Sequence, residues 1–585
     1  MLTNRADRSR FAALSLPLAA VLVGCSAPST GADDVGTAGS ASQQGGTSSQ
    51  AGASPGGGGG MVAATAGASG SSGGSEPGAA GTAGMTGTAG TASGAGGGGG
   101  GAGGDVGTTG GSGGSGMTQE PEAFDEPEGK IPNAPQPESK ANLPESKWRD
   151  GILSASLLKG KALAQPTVIN GYLVIGGNEN FWFYDVSDPA APKELSHAVT
   201  PGARGGEAEA HTVSYARYGN SLYMVTLSGT GIDTWNVNDV KAPKHLGQLK
   251  IAGTNYGDYT NAIWGVAWQG QYIYVGATNN GVKVVDATDP AQLKLAGDIA
   301  TSDYGNVSAG PLDAIGNVLV VTTPKENGGV ATLDISNPTA PKRLASFTAP
   351  NSYIGMFHRR WVFLQGPLRA WDVLSNPSSI GTGNAPLSSV NTAGSEYMSF
   401  QDDLMYLGHV RAEISGKPGA SVYSVLDPKK MTSVGRVWGR MDLANKNDDQ
   451  FTIGIGNVLV VADDQAPYHG WFTAVRQAAP DTQAPIVDTV IPKAGDSVPV
   501  TSRVGVTFSD NIELATVSSA SFIVRPVGGE PLKGKFGLRM SVLNFDPDED
   551  LKPGTTYEVV LPKGGVADLA GNRMAAEFKS TFTTK

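Results

Sequence analysis

Between residues 172 and 480 apolar and polar positions recur in one order: an alternating apolar strand, a Gly-rich or polar turn, a second apolar strand, and a corner of the Asp/Asn-Pro type. The corners fall at Asp188, Asp239, Asp289, Asn337, Asn376 and Asp427, in steps of 51, 50, 48, 39 and 51 residues. Each copy is preceded by a further short strand ending in a turn (PTVING, SYARYGN, VAWQGQ, LDAIGN, MFHRRW, SFQDD, TIGIGN), and most are followed by an outer strand such as KELSHAV or KRLASFTA. Four short strands per period of about 50 residues is the unit of a propeller blade, and the copies predict an all-β, seven-bladed β-propeller over residues 148–480. Asp or Asn at the corner bonds its own backbone two residues on, and Pro there bars a central-strand N–H. The last copy has no outer strand. The orphan segment Ile152–Leu158 is therefore expected to supply it and so to close the ring, leaving no free sheet edge.

From Ala484 the rhythm shortens to strands of about five residues, such as Val504–Phe508 and Tyr557–Leu561. Residues 481–585 thus read as a small β-sandwich.

Upstream of the repeats the chain cannot all fold. Arg5, Arg8 and Arg10 precede an apolar run from Phe11 to Val23, too short for a mature membrane span, so residues 1–24 read as a signal peptide. Residues 25–147 are first Gly, Ala, Ser and Thr, then Pro and acidic residues. Such a stretch buries too little apolar surface to offset its ordering entropy, so a disordered tether is expected, its flexible part reaching roughly 50 Å.

Leu22-Val23-Gly24-Cys25 resembles the lipobox of bacterial lipoproteins, which implies lipidation of Cys25 and a membrane anchor at the new N-terminus. Ser26, with no Asp after the cysteine, resembles an outer-membrane address, periplasmic or cell-surface exposed. Cys25 is the chain's one cysteine, so neither a disulfide nor a Cys-ligated metal is available within the chain. Val284-Val285-Asp286-Ala287-Thr288-Asp289-Pro290 and Phe183-Tyr184-Asp185-Val186-Ser187-Asp188-Pro189 resemble the LVIVD-repeat family, which is extracytoplasmic. Leu551–Tyr557 and Gly565–Asn572, with Phe508-Ser509-Asp510, resemble the S-layer-type bacterial Ig-like domain, which implies a spacer or adhesive module.

The net charge is −11, and loss of residues 1–24, with three Arg and one Asp, takes it to −13, so a phosphate backbone is repelled and nucleic acid is not expected as a partner. The chain has no HExxH, Walker loop or CxxC pair, and no Gly-rich loop between strand and helix. Aligning the innermost strands brings Glu209, His211, Asn261, Ser308, Tyr353, Glu396 and Asp449 toward one mouth of the axial channel. There they form either a hydrated polar rim or a site for a ligand or a divalent cation such as Ca2+. No cofactor is otherwise implied. His197 and His245 are expected at the surface of outer strands. Trp264 and Trp268, four apart, suit core packing or a sugar platform. The acidic string Asp546, Asp548, Glu549 and Asp550 reads as a solvated turn rather than a Ca2+ loop, and Asp448-Asp449 and Asp463-Asp464 read alike. These features favour a non-enzymatic surface lipoprotein that binds a glycan or an envelope protein; the alternative is an extracytoplasmic hydrolase or lyase at the axial mouth.

Overall fold

The computed structural model describes residues 124–136, 153–154 and 165–585, apart from 177–178, 203–210, 256–259, 325–327, 350–353, 366–367, 382–394, 410–418, 439–450 and 464–469. The signal segment, Cys25 and most of the tether lie outside these residues. Among the described residues the fold is all-β, with short 3-10 turns and no helix long and apolar enough to cross a membrane.

The repeats fold as small antiparallel sheets, each built from neighbouring strands. The first holds β1 (Thr167–Ile169), β2 (Tyr172–Gly176), β3 (Asn180–Asp185) and β4 (Lys193–Val199). The next runs β5 (Ser214–Tyr218), β6 (Ser221–Ser228), β7 (Gly231–Asn236) and β8 (Lys244–Lys250). Then come β9 (Gly265–Gln269), β10 (Tyr272–Gly276), β11 (Val282–Asp286) and β12 (Lys294–Ile299), and after them β13 (Leu312–Ile315), β14 (Val318–Thr322), β15 (Gly329–Asp334) and β16 (Lys342–Thr348). The shortened copy gives three strands, β17 (Gly355–His358), β18 (Trp361–Leu364) and β19 (Arg369–Asp372). The last two sheets are β20 (Ser395–Gln401), β21 (Leu404–His409), β22 (Gly419–Ser424), β23 (Thr432–Trp438), and β24 (Phe451–Ile455), β25 (Val458–Asp463), β26 (Gly470–Val475).

Two local rules recur in every sheet or nearly so. The turn between the first two strands places a residue at positive φ each time: Asn170, Gly219, Gly270, Gly316, Arg359, Asp402 and Gly456, all between 53° and 58°. Tight hairpins need that left-handed step to match strand twist, and Gly or Asn takes it at least cost. At the corners, Asp188, Asp239, Asp289, Asn337 and Asp427 each accept the backbone N–H two residues on, as the sequence chemistry predicts. A β-bulge between third and fourth strands, at Phe183/Tyr184, Thr234/Trp235, Val284/Val285, Thr332/Leu333 and Val422/Tyr423, was not legible in the pattern.

Neighbouring sheets touch through one repeated bond. A third-strand threonine hydroxyl donates to the corner proline carbonyl of the next sheet: Thr234 to Pro290 and Thr332 to Pro377. Thr473 in β26 makes the same bond to Pro189 in the first sheet, and Trp471 sets its ring edge on Tyr184. Of the orphan segment 152–158, residues 153 and 154 are described. Leu153 donates its N–H to the Thr473 carbonyl at 2.9 Å, and Ser154 Oγ accepts from Thr473 N.

The C-terminal strands are β27 (Val487–Ile491), β28 (Ser497–Val498), β29 (Val504–Phe508), β30 (Ile523–Pro526), β31 (Gly534–Arg539), β32 (Val542–Pro547), β33 (Thr556–Leu561) and β34 (Phe578–Thr584). They make two sheets, β27-β29-β32-β31 and β28-β34-β33-β30. The first does not stop at β31. Its edge pairs antiparallel with β5, from Lys535 opposite Tyr218 to Leu538 opposite Tyr215, giving one eight-stranded sheet across both regions. Each edge thereby satisfies the other's backbone groups. One apolar cluster likewise contains Phe181, Tyr215 and Trp235 of the repeats together with Phe508, Phe536 and Phe545.

Residues 124–136, expected as part of the disordered tether, run instead as an ordered strap over this junction. Ile131 packs on the repeat core, Asn133 exchanges hydrogen bonds with the Asp481 backbone at 2.7 and 2.8 Å, and Asn457 Nδ2 donates to the Ala134 carbonyl. The Pro-rich run has two apolar contacts, Ile131 on the repeat core and Phe124 with its ring centroid 5.7 Å from the Arg573 guanidinium, and its partners lie far away in the chain, which composition alone does not display.

Candidate functional site

The first strand of each sheet has two ends, and the two ends have different surroundings. Of the residues expected at the mouth where these strands begin, Glu209, Tyr353 and Asp449 lie outside the described residues, and so does the side chain of Glu396 in β20. His211 is fully buried and lies flat on Trp264, ring centroids 3.7 Å apart, with Tyr397 of β20 5.5 Å away. Asn261 is half-buried. Ser308 donates to Asn279 Oδ1 at 2.9 Å, and Asn279 N donates to the Thr260 carbonyl, so Ser308 and the 260–261 turn share one polar ledge. His211 and this ledge are therefore different environments: an imidazole in an aromatic stack, and a hydroxyl–amide edge.

Other sequence candidates sort by burial. Trp264 and Trp268 are 3% and 1% exposed, which makes them core and leaves no face for a sugar. His197 is exposed and stacks on Trp182. His245, expected at the surface, is half-buried and bonds the fully buried Asp233 at 2.8 Å. In the acidic string Asp546 is buried rather than solvated: Arg503 pairs with it at 2.9 Å and Gln271 N donates to it.

At the opposite end, the positive-φ turns meet the C-terminal domain one after another. Glu513 caps Asn170 N and Gly171 N at 2.9 Å each, Arg217 donates to the Ala515 and Val517 carbonyls, and Asn544 Oδ1 accepts from Gly316 N. Arg539 reaches Asp313 at 2.5 Å, both nearly inaccessible.

The densest chemistry lies at the Asp402 turn. Asp402 follows β20, Asp481 follows the last repeat, and Asp510 leaves β29; they are 6%, 1% and 2% exposed. One carboxylate oxygen from each lies within 4.8 Å of those from the other two. Arg476 Nη2 pairs with Asp481 at 2.9 Å and its Nη1 lies 3.8 Å from Asp402, while Gln401 Nε2 donates to Asp481 at 2.6 Å. Asp510 Oδ1 accepts from Asn511 N, and Asp510 Oδ2 has no hydrogen-bond partner. Asp568 stands beside them, held by Asn572 and Ala570. Burial first, and then neighbouring carboxylates, push Asp402 up to about 6 and Asp510 well above the usual range; burial likewise raises Asp568 to about 7. Such a group can hold a cation or retain protons near neutrality. Asp510 and Asp568 sit inside segments that carry the Ig-like resemblance, Asp481 lies in the connection just after the last repeat, and Asp402 comes from a repeat turn. Nothing in linear spacing joins the four.

Residues 481–584 match the family model of the bacterial Ig-like domain. Residues 262–301 and 325–348 match the LVIVD repeat. Together these matches suggest a surface-type protein of repeats and an Ig-like domain. No curated protein matches the chain. Among solved structures the chain is similar to a computationally designed protein, Ika8, at 15% identity and a TM-score of 0.35, covering 56% of this chain and 99% of that one. It is also similar to a functionally unknown protein from Desulfotomaculum acetoxidans DSM 771 (13%, TM-score 0.34, 47% and 85%) and to the N-terminal domain of Nup159 (8%, TM-score 0.33, 60% and 99%). Overlaps this loose bear on neither fold nor function.

Proposed function

We propose that the chain is a lipid-anchored, non-enzymatic scaffold of the outer membrane, presenting a seven-bladed β-propeller sealed at one end by its own Ig-like domain. The cycle of threonine-to-proline bonds, with Thr473 returning to Pro189, supports closure of the ring. The observation that carries the scaffold reading is the sheet continued from β31 into β5 over a shared core, which makes repeats and Ig-like domain one rigid head. A rigid head on a long tether suits presentation, since little ordering entropy is lost when a ligand meets it. With the turn end covered, a glycan or envelope protein would approach the end where the inner strands start, near Ser308 and Asn261. Of the candidates for the hydrolase alternative, His211 is fully buried against Trp264, with Tyr397 beyond, which disfavours it as an acid or base toward a substrate.

Expression of the full chain in a Gram-negative host tests the anchor: wild type partitions into detergent and Cys25→Ser does not. Saturable glycan binding by the released head, without turnover of ester, phosphate or polysaccharide substrates, is the expected result. Turnover abolished by Glu209→Gln would sink the non-enzymatic reading.

A further inference from the structure

The carboxylate cluster at the Asp402 turn has too little positive charge for its burial. Arg476 pairs with Asp481 at 2.9 Å and lies 3.8 Å from Asp402, Asp510 and Asp568 stand beside these two carboxylates, and the neighbouring Arg359 is engaged by Asp403 at 2.6 Å. Removing a carboxylate from water costs several kcal/mol unless an opposite charge or a proton compensates it. Asp510 Oδ2, in a side chain 2% exposed, receives no hydrogen bond, and one oxygen of that carboxylate lies within 4.8 Å of those of Asp402 and Asp481; Asp402 Oδ2 likewise receives none and lies 3.8 Å from the Arg476 guanidinium. One carboxylate oxygen from each of the three lies within 4.8 Å of the other two, so a single ion can bridge them; the donors are all oxygen, which suits a hard cation, and Ca2+ accepts an irregular oxygen shell where Mg2+ demands a near-ideal octahedron.

We propose that Asp402, Asp481 and Asp510 form a Ca2+ site that clamps the repeats to the Ig-like domain. One ligand comes from a repeat turn, one from the connection and one from the Ig-like domain, so the three carboxylates meet around an ion only when the two regions are docked. This site is separate from the polar ledge at the other end of the inner strands, and it stands whether or not the head binds a glycan.

The full chain, stripped with chelator, is titrated with Ca2+ and with Mg2+ while heat of binding and Tm are followed. Ca2+ is expected to bind with a Kd on the order of 10⁻⁴–10⁻³ M, the range of extracellular modules, and to raise Tm by several degrees, with Mg2+ weaker. Tb3+ is expected to occupy the same site, with luminescence sensitised by Tyr406, whose hydroxyl lies 3.4 Å from Arg476, and displaced by Ca2+. Asp510→Asn keeps the shape and removes one charge. It should abolish the Ca2+ shift while its Tm without metal equals or exceeds that of the stripped wild type, a result that a merely structural aspartate would not give. Asp402→Asn provides the same reading if the first variant fails to fold. Absence of Ca2+ heat and Tm shift in the wild type, with stability instead gained on acidification from neutral pH, would show protons holding the cluster and overturn the site; so would a Ca2+ shift retained in both variants.

Discussion

Thr473 carries a contact that no neighbour in sequence requires: its hydroxyl donates to Pro189, nearly the whole repeat region away. Thr473→Val keeps the shape and leaves that carbonyl without its donor, at a cost of about 1 kcal/mol, read as a lower midpoint in urea at unchanged m-value. Equal losses in Thr234→Val and Thr332→Val would show that the last-to-first contact is as well formed as the internal ones. His358 makes a second single-residue case. It is buried against Phe400 at 4.5 Å, and burial, then Arg359, lower its pKa to about 3. The unfolded chain therefore takes up a proton below about 6.5 that the folded one refuses, so this residue's contribution is complete above that pH and is lost as pH falls toward 3. Denaturation of wild type and His358→Phe at stepped pH should show a difference growing with acidity, on the order of a few kcal/mol in favour of the variant. A pH-independent difference would contradict the buried neutral imidazole. Residues of this kind were half legible: the sequence places Thr473 on a strand and His358 at a turn, but their partners lie on other sheets.

At the scale of elements, the strands and their corners could be read in advance because both rest on local chemistry: alternation sets the strand, and Asp or Asn followed by Pro sets the turn. What could not be read is edge pairing between regions, since β31 meets β5 across more than three hundred residues with no sequence mark beyond ordinary strand alternation. Gly537 is the exception in hindsight. A Cβ there would overlap the Trp268 carbonyl of β9, so the close approach of β31 requires glycine. Gly537→Ala should cost about 1–3 kcal/mol and raise amide exchange in β5 and β31 together. Faster exchange confined to β31 would mean that the shared sheet is not maintained in solution. The strap teaches the same lesson. Its Pro-rich composition forbids a helix or central strand, yet an extended strap needs neither, and Asn133 ties it down through paired bonds to Asp481.

At the scale of the whole molecule, repeats and Ig-like domain are one body, joined by a continuous sheet, a common core and buried pairs such as Arg539–Asp313. The candidate site follows from that union: Asp402, Asp481 and Asp510 are scattered in the chain and become neighbours only when the domains dock. Hence the sequence displayed Asp402 in a repeat turn and Asp510 in the Phe508-Ser509-Asp510 motif, gave Asp481 no motif at all, and hid the cluster. Scanning calorimetry of the full chain tests the claim most directly. One transition, with calorimetric and van't Hoff enthalpies in agreement, is predicted. Two separable transitions, with the Ig-like domain melting apart from the repeats, would contradict it.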